Sequence, residues 1–143
     1  MSIVFRMDNN IDDDIVILYK KKNDVVDNLE KYCNNIKMIF YKREQEYYLD
    51  LNEIIFFETD INNISAHTIN DVYNIKYKLY ELEQMLPNNF VRVAKSTIVN
   101  INNIRSIKRN ITSSSLIEFY NTYKKVYVSR FYYKNLKERL KER

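Results

Sequence analysis

The chain contains no glycine in 143 residues. A Walker A loop, a dinucleotide-binding G-x-G-x-x-G turn and a G-x-S-x-G nucleophile elbow all need glycine, for positive φ or close backbone approach. All three are therefore excluded. Asparagine tolerates left-handed geometry better than most residues and is abundant, so it is expected at many turns. One His and one Cys exclude a structural zinc cluster, and Cys33 has no partner for an internal disulfide. The start, Met1 to Asp8, does not read as a signal peptide, and no apolar run approaches the roughly 20 residues of a spanning helix. The expected setting is cytoplasmic.

Charge is uneven along the chain. Residues 1–60 carry a net −5 and residues 61–143 a net +9, giving the overall +4. Most of the excess lies beyond residue 90, where 13 Lys and Arg face only Glu118, Glu138 and Glu142. Such an asymmetry suggests a polyanion-binding surface beside a segment with another task.

Periodicity predicts strands at 3–7 and 14–20, joined by the turn Asn9 to Asp13. An amphipathic helix follows, with Val25, Val26, Leu29, Tyr32, Cys33 and Ile36 on one stripe, started by Asn23 or Asp24 and frayed at Asn34-Asn35. From Met38 the pattern turns to β, with strands expected at 38–42, 46–50, 54–59, 64–69 and 72–75. Ile75, Leu79, Leu82 and Leu86 line one side of a second helix, which Pro87-Asn88-Asn89 ends. Strands at 90–95, 104–109, 114–120 and 124–128 come next. Ser129 then stands as N-cap to a last helix with Leu136 and Leu140 inward. The fold class is mainly β (α+β), antiparallel, with about three helices. Two parts are expected: a strand-strand-helix element at 1–37 and a domain at 38–143.

Candidate chemistry is sparse. His67 alone suits acid–base work near neutral pH, and its strand setting favours packing or hydrogen bonding over catalysis. Asp12-Asp13-Asp14 reads as a solvated acidic turn more readily than a cation site. The thirteen tyrosines and seven phenylalanines fit sheet packing better than base stacking. Nothing argues for an enzyme, a cofactor or a small-molecule substrate. The informative residues are cations at strand ends: Arg92 and Lys95-Ser96 in one place, Arg130 at a strand-to-helix junction in another.

Asp50 to Glu58, Leu79 to Pro87, the run Phe90-Val91-Arg92-Val93-Ala94-Lys95-Ser96-Thr97-Ile98-Val99-Asn100 and the closing Val128-Ser129-Arg130 together resemble a LytTR DNA-binding domain, over roughly residues 38–140. That family lacks a helix-turn-helix. The resemblance implies small antiparallel sheets whose loops enter successive major grooves of double-stranded DNA. Carried over position by position, it implies DNA contacts at Asn62-Asn63, from Arg92 through Lys95 to Ser96, and at Arg130-Phe131. Lys95 and Arg130 are then expected to meet bases, and Arg92, Ser96 and Lys134 phosphates. Family members often have His where this chain has Ala94, which removes a possible base contact. The glycine common in the last hairpin is replaced by Asn121 or Thr122.

The resemblance is to the stand-alone LytTR regulators, since 37 residues are too few for a receiver domain. It implies a sequence-specific transcription regulator, dimeric on repeat half-sites and controlled by a membrane protein. Residues 1–37 would then serve in docking or dimerisation, or else cap the β core. The competing readings are a basic protein–protein interaction module and a single-stranded nucleic-acid or RNA binder.

Overall fold

A computed structural model describes residues 7–12, 16–33 and 37–143. Helix α1 spans Asp24–Cys33. Its start is fixed by Asn23, whose Oδ1 accepts the Val26 N–H at 3.0 Å. The strand expected at 14–20 is not formed where it is described: residues 16–20 are irregular, and Leu18 is 90% exposed. Apolar content favours a strand, but a strand exists only by pairing its backbone, and this segment pairs with none of the described strands. The strand expected at 3–7 lies outside the described residues except for Met7, which is irregular, as does the fraying at Asn34-Asn35.

Seven strands form one antiparallel sheet in the order β2-β1-β5-β4-β3-β7-β6. They are β1 (Phe40–Lys42), β2 (Gln45–Tyr47), β3 (Phe56–Thr59), β4 (Ile64–His67), β5 (Val72–Ile75), β6 (Phe90–Ala94) and β7 (Thr97–Asn100). Strands β8 (Ile104–Lys108), β9 (Ser115–Phe119) and β10 (Lys125–Val128) make a second, three-stranded sheet in the order β10-β9-β8. Helix α2 (Leu79–Met85) and helix α3 (Arg130–Lys141) complete the molecule. Ile75 closes β5 instead of opening α2, so the second helix is shorter than its apolar spacing implied.

Strand β7 was not expected. All four of its residues are buried, so the period of two that marks a half-exposed strand is absent.

The run Ile54-Ile55-Phe56-Phe57 explains the layering. Ile54 and Phe57 enter a core with Phe40, Leu82, Leu86 and Ile98, beneath α2. Ile55 and Phe56 enter a second core on the other face of the large sheet, with Val93, Ile117, Phe119, Val128 and Leu136. Within β3 the neighbours Phe56 and Phe57 face opposite cores, while Ile54 and Ile55, just ahead of the strand, divide between the same two cores in the reverse order. The small sheet and α3 cover the face that α2 leaves open. Each of these fully buried side chains contributes roughly 1.5–3 kcal/mol of transfer free energy.

Only two described residues have positive φ, Arg43 at 58° and Asn121 at 61°. Asn121 stands in the last hairpin, in a left-handed position that asparagine tolerates better than most residues.

Candidate nucleic-acid interface

Three strand ends are tied together by backbone hydrogen bonds. The Thr59 N–H, at the end of β3, donates to the Ser96 carbonyl at 2.8 Å. The Ser129 N–H, where β10 passes into α3, donates to the Val93 carbonyl at 2.9 Å. Hence the β3–β4 loop, the β6–β7 turn and the start of α3 lie side by side at one end of the molecule. These are the three places that the family resemblance implies.

In the β3–β4 loop, Asp60 N–H donates to the Asn63 carbonyl at 2.7 Å, and the Asp60 carboxylate accepts from Ile61 N–H at 2.8 Å. The acid is thus turned into its own loop, while Asn62 and Asn63 stand exposed. In the β6–β7 turn, Lys95 and Ser96 are exposed, and a bulge between Arg92 and Ala94 re-aims the strand just before them. At the third place the Ser129 side chain accepts from Tyr132 N–H at 3.4 Å, capping α3. Arg130 on that first turn and Lys134 on the next are both exposed, and Phe131 is 84% exposed.

Arg92 differs from its neighbours. Its Nε–H donates to the Ala94 carbonyl at 3.0 Å, one terminal nitrogen to Glu83 of α2 at 3.0 Å, and the other to the Lys95 carbonyl. The guanidinium therefore braces the turn that presents Lys95, and two of its five N–H groups remain free of these bonds. Lys95, Arg130 and Lys134 have no carboxylate partner among the described residues, whereas Lys42, Arg92 and Lys125 each have one. Unpaired cations at one end leave an electropositive surface.

The acidic N-terminal part does not cover that surface in the described residues. Helix α1 reaches Asn88, whose N–H donates to Asn28 Oδ1 at 3.4 Å, beside a cleft of about 470 Å³ lined also by Ile101 and Arg139. Asn88 precedes β6, and roughly 20 Å of extended chain separates that end from Lys95.

Asn100, last residue of the F-x-R-x-x-x-S-x-x-V-N run, is buried and points inward. Its Nδ2 donates to the Ile54 carbonyl at 3.1 Å, while Oδ1 accepts from Asn89 Nδ2 at 3.0 Å and Asn102 N–H at 3.1 Å. This residue joins the starts of β3 and β6, which no sequence pattern revealed. Asn100→Leu is expected to lower unfolding free energy by about 1–3 kcal/mol, from unmade bonds to buried groups. Urea titration checks this.

His67 stacks on Phe56, with ring centroids 4.1 Å apart and planes 17° from parallel. Lys124 Nζ lies 3.3 Å from its Nδ1 and donates to the Thr68 and Asp71 carbonyls. Burial, reinforced by the Lys124 cation, pushes His67 down to about 4, so it is neutral at pH 7. It serves as a packing and hydrogen-bonding residue between the sheets. Among the described residues no three His, Cys, Asp or Glu side chains are grouped to hold a metal, and no helix is long and apolar enough to cross a membrane.

Comparison with known proteins agrees with this geometry. The LytTr DNA-binding domain family matches residues 44–141. Proteins described as uncharacterized HTH-type transcriptional regulators of Staphylococcus aureus, in strains NCTC 8325 / PS 47 and COL, are each 32% identical over 125 residues, covering 84% of this chain and 84% of theirs. A solved LytTr DNA-binding domain of a putative methyl-accepting/DNA response regulator from Bacillus cereus superposes with a TM-score of 0.67 at 24% identity, covering 73% of this chain and 95% of that one. No two helices are consecutive among the described elements, so none forms a helix-turn-helix here. With a family match over most of its length and relatives at this level of identity, the chain belongs to the LytTr DNA-binding domain family.

Proposed function

We propose that this protein is a sequence-specific, double-stranded-DNA-binding transcription regulator that sets its aligned loops into successive major grooves. The observation that carries the reading is the pair of backbone bonds, Thr59 to Ser96 and Ser129 to Val93, which hold three exposed polar tips in one row. Lys95 and Arg130, free of carboxylates, read base edges, for which Arg on guanine is the commonest specific contact. Ser96 and Lys134 grip phosphates, as do the spare N–H groups of Arg92, while Asn62 and Asn63 reach a second groove. Phe131, at the first turn of α3, offers an apolar contact to a thymine methyl. The protein works in the cytoplasm as a homodimer on repeated half-sites, with a membrane protein as its controlling partner.

A competition shift assay with duplex DNA, single-stranded DNA and RNA tests the class of ligand, and duplex is expected to compete best. Preference for single strands, or indifference to all three, would overturn the reading. On a duplex selected from a random library, Lys95→Ala and Arg130→Ala are each expected to cost about 1–3 kcal/mol and to relax the preference at one position. Unchanged affinity and preference in both variants would remove these residues from the site.

A further inference from the structure

Beside the three loops lies a fourth that the family pattern does not single out. Cross-strand register pairs Lys108 of β8 with Leu116 and Val128 of β10 with Ser115. The β8–β9 loop therefore leaves the small sheet at the same end at which β10 delivers Ser129 and Arg130. A side-chain contact fixes the placement: the Arg109 guanidinium lies over the ring of Tyr133, on the first turn of α3, 5.2 Å from its centroid. Residues 108–114 read Lys-Arg-Asn-Ile-Thr-Ser-Ser, and all seven are exposed. The stretch holds two cations, three hydroxyls and no acid. Neither Lys108 nor Arg109 meets a carboxylate among the described residues, although Lys125 of the same sheet does.

Resting on the reading above, we propose that the β8–β9 loop is an additional phosphate-gripping arm, which extends the interface along the DNA backbone beyond α3. The occupant is the sugar–phosphate chain of the duplex flanking the bases that Arg130 faces. Cations, hydroxyls and exposed amides suit phosphate oxygens, and they carry no sequence information by themselves. Tyr133 supports the arm from below. An Arg face stacked on an aromatic ring keeps its edge N–H groups outward, so the guanidinium is oriented before DNA arrives.

The test uses the full chain, the selected duplex and a scrambled duplex, with affinity measured across a salt series. Lys108→Gln/Arg109→Gln is expected to reduce the slope of log K against log salt by about 1–2 for each bound protomer, near 0.9 for each phosphate that is no longer neutralised. The ratio of affinities for selected and scrambled duplex should not change. Hydroxyl-radical footprinting should lose protection at one flank of each half-site and nowhere else. Tyr133→Leu should reproduce part of the slope change, and Tyr133→Phe none. If the wild type separates the two duplexes but the double variant keeps its slope and footprint, the arm is wrong and the parent reading stands. If the wild type shows no preference for duplex over single strands, both fail. Both substituted cations are solvent-exposed, and unchanged thermal unfolding of the double variant establishes that its fold is intact.

Discussion

Arg92→Ala is expected to weaken binding to the selected duplex by roughly 100-fold, about 2.7 kcal/mol, more than loss of Ser96 or Lys134 alone. The expectation follows from where its donors go. Three of them bond the Ala94 carbonyl, the Lys95 carbonyl and the Glu83 carboxylate, so one planar group holds both residues of the β6–β7 approach against α2. Hydrogen bonds from a charged donor contribute about 1.5–3 kcal/mol each, and without them the turn bearing Lys95 and Ser96 is free to move. Lys95 would then find its partner on DNA only part of the time.

A double-mutant cycle separates this from an independent phosphate contact. If Arg92 acts through the turn, Arg92→Ala/Lys95→Ala should bind little worse than Arg92→Ala, with a coupling of about 0.5–3 kcal/mol. Additive losses would leave Arg92 with only the phosphate contact of its spare N–H groups and no part in placing Lys95. Arg92→Lys should fail to restore affinity, because an ammonium cannot fork to two carbonyls and a carboxylate at once. Glu83→Gln, which keeps an acceptor for the guanidinium, should be milder.

The sequence made the strands legible wherever one face is wet. β5, β6, β8, β9 and β10 fall close to their expected positions because alternation or turn residues mark them, and β4, almost wholly buried, is marked by the turn residues that precede it. Where a strand is buried on both sides, as β7 is, alternation vanishes and only pairing in space reveals it. The segment 16–20 fails the opposite way: its composition is that of a strand, yet no described partner receives its backbone. Ser129 as N-cap was readable since capping is local chemistry, fixed within three residues. The convergence of Thr59, Ser96, Val93 and Ser129 depends on strands 30–70 positions apart and has no local signature. For the same reason an Arg that faces DNA and an Arg that braces a turn look alike in sequence. Arg92 lies two residues before the end of β6 and Arg130 two residues past the end of β10, and only Arg92 has Glu83 within 3.0 Å.

Acidification is expected to weaken the fold through His67. In the unfolded chain this ring takes a proton near pH 6.5, whereas in the fold it resists until about 4. Between those values the unfolded state binds more protons, so stability rises with pH there and is lost on descending from about 6.5 to 4. The full span corresponds to about 3 kcal/mol for a side chain only 17% exposed. Four charged groups bear on the ring. Lys124 at 3.3 Å opposes protonation, and Asp71, which draws the Lys124 charge, lies behind it. Asp60 favours protonation weakly, and Glu58, 4.0 Å from Nε2 and half exposed, is screened by water. Burial against Phe56 outweighs both acids. Protonation would also put a cation where Nδ1 now faces the ammonium that clamps the β9–β10 hairpin to the β4–β5 loop. Urea unfolding of the parent and of His67→Phe, at pH 7 and at pH 4.5, isolates the contribution. The phenyl ring keeps the stack but cannot titrate, so the carboxylates common to both proteins cancel in the difference. The parent should lose about 2–3 kcal/mol more than the variant over that interval. Parallel losses would show that the ring is already free to take a proton in the folded protein, and that the two sheets are not joined through a neutral imidazole.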